Sequence, residues 1–164
     1  MSKLTQYGHA FQIKALAILI TDRDFLQQIA DIVSPDYFDN DAGKWIMRKT
    51  LKYFNEYKSV PTMEVFKVEV EGINQELQSV AVKDLLKQAY KASKALDLDY
   101  VKDTFLDFCK NQTLKSALMK SVDLLELGDY DDIRNLIDRA LKAGTERDIG
   151  HEYMTELEDR FREE

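Results

Sequence analysis

Apolar positions along this chain recur at helical rather than strand spacing. From His9 to Thr21 the stretch HAFQIKALAILIT carries Phe11, Ile13, Leu16, Ala17, Leu19 and Ile20. It is apolar nearly all round, which predicts a helix at the centre of a core. DRDFLQQIADIV follows, with Phe25, Leu26, Ile29, Ile32 and Val33 marking one face and Thr21 or Asp22 as its cap. Ser34-Pro35 stops it, because a residue before proline disfavours the helical region, and SPDYF makes an aromatic turn. Asn40 or Asp41 is placed to cap a third helix, AGKWIMRKTLKYFNEYK, with Trp45, Ile46, Lys49, Tyr53 and Phe54 on or near one side. Val60-Pro61-Thr62 ends that unit. In MEVFKVEVEGI the stretch VFKVEV alternates as a strand would. Thr62 and Glu64 suit a helix start, and we read it as helix. After Gly72, NQELQSVAVKDLLKQAYKAS repeats Leu77, Val80, Leu85 or Leu86, and Ala89 at roughly helical intervals.

The organisation then changes. Asp97 to Leu127 contains neither Gly nor Pro and spans about 46 Å if wholly helical. Leu98, Val101, Phe105 and Phe108 hold a 3-4 spacing before the stripe steps to Leu114, Leu118, Val122 and Leu125. Gly128 fits the helix end. Asp129 fits the next cap, with Asp131 and Asp132 in a first turn where negative charge suits the helix dipole. Ile133, Leu136, Ile137, Ala140 and Leu141 then line one face. So short a turn makes the two helices antiparallel. The pattern thus predicts an all-α chain: a helical head over 1–95, a long helical hairpin over 96–144, and a segment 145–164 with one more amphipathic helix, DIGHEYMTELEDRFREE. There Tyr153, Leu157 and Phe161 recur at i, i+4, i+8 beside Met154. The hairpin's second arm is about half as long as its first, so the rest of the long arm needs the head or another subunit. That is a physical reason to expect self-association.

Composition narrows the function classes. The chain has 164 residues and a net charge of −7, which argues against a surface that grips nucleic-acid backbone throughout. Its longest apolar run, ALAILI, is far short of the roughly 20 residues a membrane span needs, and it lacks a cleavage site after it. With Cys109 as the sole cysteine, no internal disulfide forms, and a reducing, cytoplasmic setting is the default.

Chemistry is sparse. The pair Gly43-Lys44 is followed by Trp45 rather than Ser or Thr, and Phe38 stands where a phosphate loop needs its first glycine. His9 and His151 are far apart, and one cysteine cannot build a typical structural zinc site. Cys109 reads as a packing residue, Glu69/Glu71 as a solvated face, and Asp129/Asp131/Asp132 as capping. No catalytic, cofactor-binding or metal-ligating set is expected. Two features could bind partners. KWIMRKTLKYFNEYK interleaves basic and aromatic residues as single-strand binders do, with Lys44, Arg48 and Lys52 as the candidate contacts. The simpler reading is an amphipathic helix with its aromatics in the core. Lys83, Lys87, Lys91 and Lys94 form a spaced basic row, again most simply a solvated face.

The segments together resemble the amino-terminal region of DnaB-family replicative helicases, especially the phage-encoded branch. The resemblance covers about residues 9–164. It rests on IADIVSPDYF, on WIMRKTLKYFNEYKSVPT, on the hairpin DLLELGDYDDIRNLIDRALKAG and on DIGHEYMTELEDRFREE; FKVEVEGINQELQSVAV has no counterpart. It implies a non-catalytic domain that assembles a hexameric ring through hairpin contacts and docks a primase or a helicase loader. DNA, ATP and Mg would be handled by a motor domain following this region. On that basis the subunit contacts are expected at Phe105, Phe108, Leu118, Val122, Leu125, Ile133, Leu136 and Ile137. The linker contacts to a neighbouring motor are expected at Tyr153, Met154, Leu157 and Phe161. The rival reading is a free-standing helical adaptor or a single-stranded nucleic-acid-binding module built around Trp45.

Overall fold

Every regular element is helical in the computed structural model, which describes residues 4–144. After a 3-10 turn at Leu4–Tyr7 come α1 (His9–Thr21), α2 (Arg23–Ile29), a second 3-10 turn (Pro35–Tyr37), α3 (Asp41–Tyr57), α4 (Met63–Glu71), α5 (Glu76–Ala92), α6 (Leu98–Glu126) and α7 (Tyr130–Lys142).

Local chemistry explains the boundaries. Asp22, not Thr21, caps α2: its carboxylate accepts from the Phe25 N–H at 3.1 Å, while the Thr21 hydroxyl donates back to the Ala17 carbonyl. Asn40 caps α3 by accepting from the Gly43 N–H at 2.6 Å. Thr62 caps α4 by accepting from the Val65 N–H at 3.2 Å, so VFKVEV is helix despite its alternation. The cap supplies one of the N–H partners that a helix start otherwise lacks. One expected boundary moves. α2 ends at Ile29 rather than Val33, and Ile32 N–H turns back to the Ile29 carbonyl. Ile32 and Val33 are still buried, without being helical.

Two compact units emerge. Among the described residues, 4–27 and 33–105 form the first, and 28–32 and 106–144 the second, so the division falls inside α6. In the first unit α1 packs on α5 and α3, α3 on α5, and α4 on α5. Ala15, Ala17 and Ala89 are fully buried there, and such small side chains let helix backbones approach closely. Ala15 through Ile20 are buried without a break, as an all-round apolar helix requires. The buried Gln12 is satisfied: its amide donates to Asp39 at 2.7 Å and its carbonyl accepts from the Asp39 N–H. The start of α6 belongs to this unit. Phe105 lies 6.2 Å from the Phe38 ring, Lys102 pairs with Asp22 at 2.6 Å, and Asp97 pairs with Lys14 at 2.8 Å.

Burial alone raises the Asp22 carboxyl. The hydrogen bond from Lys102, the Phe25 N–H and the Lys102 charge outweigh it and hold the group below its ordinary value of 3.8. A depressed carboxyl stabilises the fold above its unfolded pKa, and that contribution is lost as pH falls through the folded value. Asp22→Asn keeps a capping oxygen but loses the charge. It should cost about 1 kcal/mol at neutral pH and flatten the decline in stability below pH 3.8. Denaturant melts across pH would show this; an unchanged acid limb would refute the assignment.

In the second unit the α6–α7 turn is built by Gly128, at φ +71°. Its N–H bonds the Leu125 carbonyl, and the Asp129 N–H reaches the Leu124 carbonyl, both at 3.0 Å. This is the left-handed glycine cap. A Cβ at Gly128 meets no neighbour, so Gly128→Ala should cost only the backbone strain, about 1 kcal/mol, read as a small fall in Tm. Beyond α7, Gly144 sits at φ +80°, with the Ile32, Lys110 and Leu106 side chains within 4 Å of where its Cβ would stand. The second arm therefore returns along the first as far as Leu106–Lys110, which makes the hairpin antiparallel. Asp129 occupies the cap position of α7, but its side chain makes no capping hydrogen bond. The Asp132 carboxylate beside it pushes its carboxyl above the ordinary range, so the position is occupied but weakly capped. The segment holding Tyr153, Met154, Leu157 and Phe161 lies outside the described residues.

Candidate functional site

The hairpin's solvent face is where apolar chemistry is left open. On α6, Leu118, Val122 and Leu125 stand at i, i+4 and i+7 and are 52%, 57% and 58% exposed. Met119, Leu127 and Tyr130 extend the same end of the hairpin and are also exposed. Large exposed side chains this dense on one helix end are unusual unless a partner covers them. On α7, Ile133, Leu136 and Ile137 are half-buried and Ala140 is buried, so that stripe is partly covered. The backbone-close helix packing of the described residues lies among α1, α3, α4 and α5, and α6 with α7 is not among those pairs.

Two of the expected contact residues are placed elsewhere. Phe105 is fully buried and Phe108 almost so. Phe105 is used by its own chain, against Phe38, and presents no surface to another. The 3-4 spacing from Leu98 to Phe108 and the stripe from Leu118 onward looked continuous in sequence. The structure divides them: the first is core, the second is surface.

Burial also decides the basic-aromatic helix. Trp45 is buried, with the Lys49 ammonium 5.6 Å from its ring centre, and Lys49 itself pairs with Glu69 at 3.3 Å. Tyr53 and Tyr57 stack on each other at 4.6 Å. Lys44 is half-buried, while Arg48 and Lys52 are exposed. Arg48 and Lys52 are in water, but the tryptophan face that would stack a base is covered. Gly43 is buried and touches Asn40 and Phe38, so it is a packing glycine at the start of α3.

The remaining reactive groups are dispersed. Cys109 is fully buried, and burial pushes its thiol well above the ordinary value, which suits packing and not nucleophilic attack. His9 is exposed at the first position of α1. Among the described residues no three His, Cys, Asp or Glu side chains cluster to hold a metal ion, and no helix is long and apolar enough to cross a membrane.

Sequence reading missed a groove between α4 and α5. Its signal was present: Met63, Phe66, Lys67 and Val70 repeat at 0, 3, 4 and 7, as do Lys83, Leu86, Lys87 and Tyr90. Lys83 and Lys87 read as part of a solvated basic row, and the α4 row gains meaning only once α4 packs beside α5. Comparison with protein-family models, with curated proteins and with solved structures finds no match for this chain.

Proposed function

We propose that this chain is a non-catalytic assembly and partner-docking domain of a hexameric replicative DNA helicase of the DnaB type. In that reading it supports ring formation through the hairpin and receives a primase or a helicase loader, while ATP, Mg and DNA are handled by a motor domain. The observation that carries it is the open row Leu118, Val122 and Leu125 on the solvent face of α6, beside the turn at Gly128. Covering the exposed halves of three such side chains contributes roughly 2–4 kcal/mol, before the ordering costs of association. A second copy of the hairpin presents the same row, as a two-fold contact requires.

Light scattering over a concentration series tests this directly. Dimers or larger species should grow with concentration, and a strict monomer at high concentration would sink the assembly reading. ATP hydrolysis by the purified chain would overturn the non-catalytic part. The rival single-strand-binding reading needs an accessible Trp45. Its burial under Lys49 disfavours that, and titration with an oligonucleotide should leave the tryptophan fluorescence unchanged.

A further inference from the structure

We infer that the groove between α4 and α5 is the docking site for an acidic amphipathic helix of a partner protein. The inference rests on the partner-docking part of the reading above and gives it a surface.

The groove holds about 480 Å³ and lies wholly within the first unit. One wall is Met63, Phe66, Lys67 and Val70 of α4; the other is Lys83, Leu86, Lys87 and Tyr90 of α5. Each wall covers two turns, about 10 Å of helix axis. Phe66, Val70 and Leu86 form a buried apolar floor, and Met63 stands half-exposed at the mouth, an adaptable thioether suited to packing on a varied partner. Lys67, Lys83 and Lys87 are exposed on the rims. None of the three forms an ion pair among the described residues, and Glu71 is the one acid on the lining. The Tyr90 hydroxyl is buried with no hydrogen-bond partner among the described residues.

An occupant must therefore bring two turns of apolar anchors flanked by carboxylates. That is the helix-in-groove mode with i, i+3/i+4 anchors, and three unpaired lysines select its charge. A single nucleic-acid strand fits poorly, because it needs open aromatic faces; Phe66 is buried and Tyr90 half-buried.

The test uses the full chain and a fluorescein-labelled synthetic helix of about 15 residues, with Leu and Phe at i, i+4 and i+8 and Glu on the flanks. Comparators are the same peptide with Lys for Glu, an oligothymidine, and phosphatidylglycerol vesicles. Anisotropy should show saturable binding of the acidic peptide with a Kd of about 10–100 µM, weakening as salt rises. Lys83→Glu with Lys87→Glu, and separately Met63→Glu, should each raise that Kd about tenfold, with circular dichroism unchanged. These sites are exposed, so the variants keep the fold. No saturable binding up to about 1 mM overturns the inference. So do equal binding of the lysine peptide, preferential capture by oligothymidine or vesicles, and undiminished binding by the groove variants. Light scattering on the same variants separates this result from the assembly reading: groove substitutions should leave self-association as it is.

Discussion

Replacing Leu118, Val122 and Leu125 together by glutamate should abolish the self-association proposed above without unfolding the chain. All three are more than half exposed, so each free chain loses little packing when they change. Glutamate is a good helix former; Leu118 and Val122 lie inside α6, and Leu125 is in its last turn, where a negative charge costs only about 0.3–1 kcal/mol. In the assembled state the loss is much larger. The apolar burial of roughly 2–4 kcal/mol disappears, and two rows of like charge face each other across a two-fold contact. The dissociation constant should rise about a hundredfold or more, visible in sedimentation or light scattering. Tm measured on dilute protein should stay within a few degrees of the parent. If the variant still assembles as tightly as the parent, the row is not the contact surface.

Phe105→Ala should do the reverse. Phe105 was a candidate for contact with another subunit, and by periodicity it belongs to the same helix as Leu118. In the structure it is fully buried and packs on Phe38. Truncating a buried phenylalanine removes its transfer energy and leaves a cavity, at a cost of about 3–5 kcal/mol. Against a typical stability of roughly 5–15 kcal/mol, that should lower Tm by about 6–20 °C. The same ion-paired start of α6, held by Lys102–Asp22, should loosen with it. A Phe105→Ala chain that melted like the parent but failed to assemble would return this residue to the interface. The two variants together separate core from contact along a single helix.

Much of this architecture was readable from local rules. Helix α1 is set by an apolar run with no polar face, and its residues are buried as that pattern demands. Thr62 and Gly128 were legible as caps because a cap needs only the side chain and the few backbone groups beside it, and the α3 cap was narrowed to Asn40 or Asp41. Where two neighbours could serve, sequence left the choice open. Asp22 rather than Thr21 caps α2, because the Thr21 hydroxyl is spent on the Ala17 carbonyl inside α1. α2 is shorter than its apolar spacing suggests because Ile32 sits in a turn and Val33 just beyond it; burial alone does not make them helical.

The candidate sites were less legible. A stripe of apolar residues states that a face must be covered, but not by what. Phe108 and Leu118 satisfy the same pattern, and one is buried within its own chain while the other is open. The α4–α5 groove depends on two rows from separate helices coming side by side, with lysines on both rims. Each row in isolation is an ordinary amphipathic face. The basic-aromatic helix α3 shows the opposite case, where a suggestive motif is absorbed into packing once Trp45 turns inward under Lys49.

The sequence by itself determined that the described residues are helical, where most helices begin, and that α6 and α7 form a hairpin. Those properties follow from periodicity, capping and the turn at Gly128, interactions spanning only a few residues. Only the tertiary structure decided which turns of α6 are core and which are surface, that Trp45 is enclosed, and that α4 and α5 frame a cationic-rimmed groove. Each of those depends on contacts between residues distant in the chain, and identical spacing along one helix carries no information about what packs against it.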